Sequence, residues 1–265
     1  MTDHSVSSSL ILANKNALIT GAASGIGLAI ARVFAQSGAS VQIVDRNFED
    51  ASAAAGKIIE QGGKASAWAC DVRDHAGVHQ LFAQIASQGR IDILINNAGI
   101  AHVGTLGTTS EEDFDRVMLV NVKGAYNCMH AVVGHMVEQG GGVILNLASI
   151  AAIAGLPDRF AYSTSKGAIL TMTYSVAKDY LSHNIRCNAI SPARVHTPFV
   201  DGFVAKNYPG REEEMFAKLA QSQPIGRMAT PDEVALLARF LCSDEAAFIT
   251  GTNYTIDGGF MNLRG

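Results

Sequence analysis

The chain has 265 residues, 48% of them hydrophobic and 17% charged, and its net charge is −4. This length and composition suit a single large α/β domain with an extensive core. The sequence has no run of lysine or arginine, so we expect neither nucleic acid nor an anionic membrane surface as a partner. No apolar run approaches the ~18 residues that cross a bilayer, so we do not expect membrane insertion.

The four cysteines, at positions 70, 128, 187 and 242, are far apart and form no CxxC pair. Such spacing is typical of reduced thiols rather than of a disulfide framework or zinc centre, and we predict no metal site. Residues 1–13 are mostly polar and lack the basic and apolar segments of a signal peptide. We therefore expect a flexible tail over residues 1–13, one catalytic domain over residues 14–265, and a cytoplasmic location.

A glycine-rich turn follows the first predicted strand, residues 16–20. Its sequence is Gly21-Ala22-Ala23-Ser24-Gly25-Ile26-Gly27, and apolar residues at helical spacing come directly after it. Glycines let a backbone approach a pyrophosphate, and a helix N-terminus supplies unpaired N–H groups. The turn therefore predicts a dinucleotide site, although its GxxxGxG spacing differs from the common GxGxxG fingerprint.

The second predicted strand, residues 40–44, ends at Asp45. A carboxylate at this position can accept hydrogen bonds from both ribose hydroxyls of NAD, and it repels the 2′-phosphate of NADP. The adjacent Arg46 could instead bind that phosphate. No basic residue lies in the glycine turn, so the charges favour NAD and leave NADP open.

The next two strands also end in polar residues. Residues 65–69 lead to Asp71, which could either contact an adenine or lie in the N-cap region of a helix that begins near Asp74. Residues 91–95 lead to Asn96-Asn97-Ala98-Gly99, which could brace the sheet edge beside a ribose. A long helix is predicted over residues 111–138 with Asn121 in its interior, where asparagine is usually unfavourable unless it faces solvent.

Tyr162 and Lys166 are four residues apart, so on a helix both side chains share one face. A nearby cation favours the phenolate and lowers the pKa of a tyrosine toward the range that a general acid/base needs. Ser149 ends a buried apolar strand, residues 142–148, and its hydroxyl could hold a substrate oxygen beside the tyrosine.

Strands and helices alternate to the end of the sequence. A strand over residues 184–190 is followed by a less periodic stretch, residues 199–223, in which one short helix is predicted over 212–220; this stretch is a candidate substrate lid. A capped helix over residues 230–242 and a strand over 254–256 complete the pattern. The predicted fold is a single Rossmann-type, doubly wound α/β domain with a central, mainly parallel sheet flanked by helices.

Four of these motifs, TGxxxGxG from Thr20, NNAG from Asn96, Ser149 and YxxxK from Tyr162, together resemble the short-chain dehydrogenase/reductase family. The resemblance implies that Tyr162 is the acid/base and that Ser149 binds the carbonyl or hydroxyl. It also implies that Lys166 binds the nicotinamide ribose and lowers the pKa of Tyr162, and that Asn121 holds a water in a proton relay.

The resemblance also implies the cofactor contacts, with Asp71 and Val72 at the adenine, Asn97 at a ribose, and Val195 and Thr197 at the carboxamide. One departure is Ala193, where the family usually has glycine; if that backbone needs a positive φ, alanine costs about 1 kcal/mol. The full set of expected cofactor contacts is Gly21, Ser24, Gly25, Ile26, Gly27, Asp45, Arg46, Asp71, Val72, Asn97, Ala98, Gly99, Tyr162, Lys166, Pro192, Val195 and Thr197.

The predicted activity is hydride transfer between NAD and a secondary alcohol or ketone. Arg159, Arg194 and His196 lie near the reacting groups in sequence and, with Ser149, are the candidate substrate contacts; the arginines favour a small hydroxy acid, sugar or sugar acid. The alternatives are an NADPH-dependent 3-oxoacyl-[acyl-carrier-protein] reductase and a non-catalytic NAD-binding scaffold. The resemblance further implies a homo-oligomer, commonly a tetramer.

Overall fold

Seven parallel strands form one sheet in the order β3-β2-β1-β4-β5-β6-β7. The computed structural model describes residues 11–263, including all of their side chains except those of Phe199, Phe203, Lys206 and Asn207. The strands are β1 (Asn16–Thr20), β2 (Ser40–Asp45), β3 (Lys64–Ala69), β4 (Ile93–Asn96), β5 (Gly142–Leu147), β6 (Ile185–Pro192) and β7 (Asn253–Ile256).

Helices cover both faces of this sheet. They are α1 (Gly25–Gln36), α2 (Phe48–Glu60), α3 (His75–Gln88), α4 (Glu111–Met118), α5 (Gly124–Glu138), α6 (Phe160–Asp179), α7 (Pro198–Asn207), α8 (Glu212–Gln221) and α9 (Pro231–Cys242). The strand order reverses between β1 and β4, and at such a point the carboxyl ends of parallel strands open a crevice that binds ligands. The predicted doubly wound fold is confirmed.

The core has two layers because successive side chains of a strand point to opposite faces of the sheet. On β1, Ile19 packs in the layer that contains α1 and α9, whereas Leu18 packs in the layer that contains α3 and α5. Both side chains are fully buried. A strand that is buried on both faces has a continuous apolar sequence. The apolar residues of β1 therefore predicted a buried strand.

The start of the domain differs from the predicted boundary at residue 14. Residues 1–10 of the predicted tail lie outside the described residues. Leu12, however, is fully buried in the core, and its N–H donates to the carbonyl of Ser37 at 2.9 Å. The packed part of the chain therefore includes Leu12.

Two helical predictions also needed correction. The long helix predicted over residues 111–138 is interrupted by a π turn, Leu119–Lys123, between α4 and α5. The stretch predicted to contain one helix has two, because Thr197 caps α7 through the N–H of Val200 and Pro198 lies in its first turn. The capping box predicted at Thr230 is present.

Candidate active site

The glycine turn between β1 and α1 is held in a strained, close-packed shape. Gly21 and Gly25 have φ angles of +62° and +56°, which side-chain-bearing residues rarely adopt. A Cβ on Gly27 would lie 2.4 Å from the carbonyl oxygen of Gly21. The turn therefore needs glycine at these positions for reasons of geometry, and it brings the N-terminus of α1 to the crevice.

Asn97, after β4, braces this turn from the side. Its Nδ2 donates to the carbonyl oxygens of Thr20 and Gly21 at 3.0 and 2.9 Å. The hydroxyl of Thr20 accepts from the N–H groups of Asn97 and Ala98 at 3.1 and 3.2 Å, and donates to Ile95 at 3.2 Å. The TG and NNAG motifs are thus one hydrogen-bonded unit, and the amide nitrogen of Asn97 serves the turn. Its contact with a ribose remains a prediction.

Asp45 lies directly beside the glycine turn. One carboxylate oxygen accepts from the N–H of Ala23 at 3.2 Å, and the other accepts from the N–H of Asn47 at 3.4 Å. Ser24, the N-cap residue of α1, is exposed and makes no capping bond with its side chain. The donors of the first turn of α1 and the carboxylate of Asp45 therefore line the same part of the crevice, as a dinucleotide site requires.

Asp71 has a partner that the sequence did not indicate. The guanidinium of Arg73 donates from Nε at 2.9 and 3.0 Å to the two oxygens of its carboxylate, and these hydrogen bonds hold the pKa of Asp71 below its ordinary value. The N-cap of α3 is Asp74, whose side chain accepts from the N–H of Ala76 at 3.1 Å, and Asp71 lies just before it, where its carboxylate accepts from the N–H of Arg73 at 3.0 Å.

Ser149 and Tyr162, predicted from the sequence to be reacting groups, both line the same cleft. The Oγ of Ser149 accepts from the N–H of Ala151 at 3.1 Å, so its O–H remains available to a substrate oxygen or to Tyr162. Burial raises the pKa of Tyr162 above its ordinary value, while the nearby hydroxyl of Ser149 and the charge of Arg159 act in the opposite direction. In the structure without cofactor the phenol form is therefore favoured.

Lys166 is buried below the tyrosine ring. Its Nζ donates to the carbonyl of Leu147, at the end of β5, at 2.6 Å and lies 5.8 Å from the centroid of the Tyr162 ring. Burial lowers the pKa of Lys166 to about 8. The lowering of the Tyr162 pKa that was expected from Lys166 is not seen, since the opposing influences come from Ser149 and Arg159 and burial outweighs both.

Asn121 lies in the π turn and is buried, not solvent-facing. Its Oδ1 accepts from the N–H of Ile100 at 2.8 Å, and its Nδ2 donates to the Ile100 carbonyl and to the Ser165 Oγ, both at 2.9 Å. Ser165 in turn donates to the carbonyl of Tyr162 at 2.7 Å. Asn121 thus fastens the loop after β4 to the helix that carries the acid/base, and π turns are frequent at functional sites.

Ala193 does not carry the expected strain. Among the described residues, only Asn14, Asp158 and Asn184 have a positive φ without being glycine. The N–H of Ala193 donates to the carbonyl of Ile256 at 3.1 Å, so the backbone is held against β7. The predicted penalty of about 1 kcal/mol does not arise, since alanine tolerates this conformation at no special cost.

The loop that follows Ala193 closes over the glycine turn. Val195 forms an isolated parallel bridge with Ala229. The side chain of Thr197 approaches Gly25, so that a Cβ on that glycine would meet its methyl group at 3.7 Å. This loop and the glycine turn therefore form opposite walls of one cleft.

The two arginines proposed as substrate contacts both line the cleft, whereas His196 does not. Burial lowers the pKa of Arg194 and so does the nearby charge of Arg159. His196 is half-exposed; its Nε2 lies 2.7 Å from Asp201, and its ring packs at a tilt of 46° against Phe216. The structure thus gives His196 partners on α7 and α8 rather than a position beside the reacting groups.

Two further residues of the cleft were missed from the sequence. The Nδ1 of His102 and the Oε1 of Gln223 are buried and have no hydrogen-bond partner within the described part of the chain. The Nε2 of His102 lies 3.4 Å from Asp113, which it faces as a donor. Nδ1 is then left as the hydrogen-bond acceptor. Buried polar atoms are normally satisfied, so these atoms are candidates for contact with a ligand. A single histidine or glutamine in a loop gives no sequence signal of this kind.

The cleft encloses about 1340 Å³, more than the ~300–1,000 Å³ of a typical small-molecule pocket, and has room for a dinucleotide and a substrate. Ser149, Tyr162 and Lys166 line it, and Asn121 lies behind the wall. Every expected cofactor contact also lines the cleft except Gly27, which acts beneath the surface through the shape of the turn.

A dinucleotide cleft with a serine, a tyrosine and a lysine at one end is the site of a nicotinamide-dependent oxidoreductase. A sequence model of the family described as Enoyl-(Acyl carrier protein) reductase matches residues 21–261. The chain belongs to the short-chain dehydrogenase/reductase family, whose members act on alcohols and ketones.

Curated relatives match nearly the whole chain. The oxidoreductase UcpA of Salmonella typhimurium is 40% identical, covering 94% of this chain and 95% of its own. The D-threitol dehydrogenase of Mycolicibacterium smegmatis is also 40% identical, covering 94% of each chain. The 3-oxoacyl-[acyl-carrier-protein] reductase FabG of Thermotoga maritima is 37% identical, covering 94% of this chain and 99% of its own.

Solved structures agree in fold over a similar span. A short-chain dehydrogenase/reductase from Burkholderia xenovorans superposes with a TM-score of 0.92 at 35% identity, covering 96% of this chain and 99% of that one. The L-sorbose reductase of Gluconobacter frateurii, solved with NADPH and L-sorbose, gives 0.89 at 32% identity, covering 95% and 98%. Within residues 11–263, no helix has the length and apolar character needed to cross a membrane.

Proposed function

We propose that this enzyme catalyses the reversible, NAD-dependent oxidation of a secondary alcohol in a small polyhydroxylated compound, with a sugar acid or related hydroxy acid as the favoured class. The observation that carries the chemistry is that Ser149, Tyr162 and the buried Lys166 line one cleft that is large enough for cofactor and substrate. The proposed NAD preference rests on Asp45.

In the oxidation, Ser149 holds the substrate oxygen and Tyr162, as the phenolate, takes the hydroxyl proton. A bound oxidised nicotinamide supplies positive charge and accepts the hydride. Because burial raises the pKa of Tyr162 in the cofactor-free protein, the charges of the complex must lower that pKa before the tyrosine can act as a base near neutral pH. Lys166, held by Leu147, occupies the position from which a cation can do so.

The substrate class rests on the charge and polarity of the cleft. Neither Arg159 nor Arg194 is in an ion pair with a carboxylate among the described residues, and their mutual repulsion contributes to the lowered pKa of Arg194. A carboxylate bound between them would relieve that repulsion and accept bidentate hydrogen bonds. The unsatisfied atoms of His102 and Gln223 suit the hydroxyl groups of a sugar-like compound.

The printed names of relatives point to the same class. One relative is named for D-threitol, and one solved structure contains L-sorbose. That structure also contains NADPH, so the family does not decide the cofactor. The carboxylate of Asp45 beside the glycine turn supports NAD, because it would repel a 2′-phosphate.

Absorbance of the reduced nicotinamide tests the proposal. Purified protein is assayed with NAD and with NADP across a panel of polyols, sugars, sugar acids, hydroxy acids and plain secondary alcohols. We expect the highest kcat/KM with NAD and a sugar acid, and loss of that preference when the carboxylate is esterified. Turnover of neutral polyols alone would contradict the proposed role of the arginines, and a preference for NADP would contradict the role of Asp45.

Arginine variants sharpen this test. Arg159→Gln and Arg194→Gln should each raise KM for an acidic substrate about tenfold or more, since a hydrogen bond to a charged group is worth roughly 1.5–3 kcal/mol. KM for a neutral polyol should change little. Arg211→Gln is the matched control, because Arg211 is exposed, is paired with Glu214 and lies outside the cleft.

The alternative remains reduction of a 3-oxoacyl group on an acyl carrier protein with NADPH. It is favoured by the relative named for that reaction, while Asp45 and the absence of a basic residue in the glycine turn argue against it. This alternative would become the first choice if activity on an acetoacetyl carrier protein with NADPH exceeded activity on every alcohol of the panel. The relatives, which are named as oxidoreductases, give no support to a non-catalytic scaffold role.

We also propose a cytoplasmic homotetramer. All four cysteines are free thiols, as expected in a reducing compartment. On α6, a Cβ on Gly167 would meet open space, and Thr171 and Ser175 are exposed, so these three small residues face outward. Ala177, in contrast, packs in the core. An outward face of small residues allows close approach of a second helix; sedimentation equilibrium measures the assembly directly.

A further inference from the structure

Three histidines from two helices meet on the surface formed by α3 and α5. They are His75 and His79 on α3 and His130 on α5, and one ring nitrogen from each lies within 4.8 Å of the others. None of the three lines the catalytic cleft as the structure describes it. The proposed hydride transfer uses none of them, so the cluster needs an explanation of its own.

The three rings are arranged closely enough to share a ligand. The Nε2 of His79 lies 2.9 Å from the Nδ1 of His130, a distance at which one nitrogen carries a proton and the other accepts it. The centroid of the His75 ring lies 4.5 Å from that of His79 and 5.4 Å from that of His130. A cation can replace the shared proton, since each imidazole then offers a lone pair to it.

Asn127 fixes the orientation of the first ring. Its buried Nδ2 donates to the carbonyl oxygens of Val72 and Arg73, at 2.8 and 3.3 Å, so its Oδ1 must be the acceptor facing His75 at 3.0 Å. The Nδ1 of His75 therefore carries the proton and Nε2 keeps its lone pair. Histidines that bind metals commonly donate their other N–H to a carbonyl or carboxylate in this way.

We propose that His75, His79 and His130 form a binding site for a borderline divalent transition-metal ion, with Zn²⁺ as the first candidate. Three imidazoles and an open position filled by water make a common zinc coordination, and imidazole also suits Co²⁺, Ni²⁺ and Cu²⁺. No metal site was predicted from the sequence, because His79 and His130 are 51 residues apart and only the packing of α3 on α5 unites them.

A bound ion would join α3 to α5 and would stabilise the folded chain in proportion to its affinity. The same helices also hold the adenine end of the cleft, because Asn127 binds the carbonyl of Val72, a residue that lines it. The site would therefore strengthen a part of the fold that supports the nucleotide without taking part in the reaction.

Metal retention tests the proposal on the full-length chain with any purification tag removed. The protein is incubated with ZnCl₂, dialysed against metal-free buffer and analysed by mass spectrometry for zinc, and its Tm is measured with and without the ion. We expect about one retained zinc per chain and a raised Tm. The double variant His79→Ala/His130→Ala should lose the retained zinc and the Tm increase, whereas the control His183→Ala, changed in an exposed histidine elsewhere, should keep both.

Two results would overturn the site: no retained zinc in the parent protein, or equal retention in the parent and the double variant. Co²⁺ supplies an independent measurement, because imidazole ligands give visible d–d bands without the charge-transfer band of thiolate ligation. If the double variant does not fold, anomalous scattering from zinc-soaked crystals of the parent decides the matter. A peak among the three rings supports the site, and a peak elsewhere or none contradicts it.

Discussion

Replacement of Gly27 by alanine should damage both the fold and nucleotide binding. The new Cβ would lie 2.4 Å from the carbonyl oxygen of Gly21 and 2.5 Å from Nδ2 of Asn97, about 1 Å closer than ordinary contact. Overpacking of this kind costs about 1–3 kcal/mol, and loss of the two hydrogen bonds from Asn97 costs about 1 kcal/mol each. Alanine is ~1 kcal/mol more favourable than glycine in a helix, which offsets part of these costs. The net loss of folding stability is about 2–4 kcal/mol.

For a domain of this size, that loss corresponds to a fall in Tm of about 5–15 °C. The glycine turn would also move, and we expect KM for NAD to rise at least tenfold, about 1.4 kcal/mol. Differential scanning calorimetry and initial-rate kinetics measure the two effects. The control is Gly56→Ala on α2, where a Cβ meets no atom within 4 Å and should stabilise the helix. If Gly27→Ala matched this control in Tm and in KM for NAD, the steric reasoning would be wrong.

Three more variants test the site. Tyr162→Phe should lower kcat by about 10²–10⁴-fold, with NAD affinity by fluorescence titration nearly unchanged; retained turnover would refute the assignment. Asp45→Ser should shift the NADP-to-NAD ratio of kcat/KM toward NADP by tenfold or more, since the exposed Arg46 remains; an unchanged ratio would contradict the role of Asp45. Burial lowers the pKa of Lys166 from 10.5 to about 8. Between these pH values, Lys166 carries a proton in the unfolded chain but not in the folded chain. The free energy of unfolding, measured by denaturant titration relative to Lys166→Met, should therefore rise with pH. A difference that stays constant with pH would argue against this burial effect.

Local patterns in the sequence were enough to predict the sheet and the strand and helix that carry Ser149, Tyr162 and Lys166. The apolar run of β1 and the glycines after it predicted a strand, a turn and a helix, and the structure has all three. The i,i+4 spacing of Tyr162 and Lys166 predicted that, on a helix, they share one face, and both residues lie on α6. These predictions depend on residues close together in the chain, where periodicity and turn chemistry decide the outcome.

Backbone details that depend on tertiary contacts were harder to predict. The π turn around Asn121 is recognised only when Ile100 and Ser165 are seen to bind its side chain. Helix α7 was missed because its residues lack a clear apolar period, so that the cap at Thr197 was the only local signal. The concern about Ala193 came from comparison with a family pattern and disappeared once its φ was known.

Several contacts between distant segments were not predicted. His196 was placed near the substrate by sequence proximity to Arg194, but its side chain pairs with Asp201. The buried polar atoms of His102 and Gln223 come to line the same cleft as the reacting groups only through the folding of separate loops. No periodicity within one segment contains that information.

The π turn has a consequence for how the length of this chain can vary. Removal of one residue from Leu119–Lys123 would let α4 and α5 join in a single regular helix with the usual hydrogen bonds. One residue of an α-helix turns by about 100°, so Asn121 would rotate away from Ile100 and from the helix of the acid/base. A one-residue deletion here would thus give a more regular protein with a disconnected active site. At this position, the arrangement of the site constrains the length of the chain as well as the type of residue.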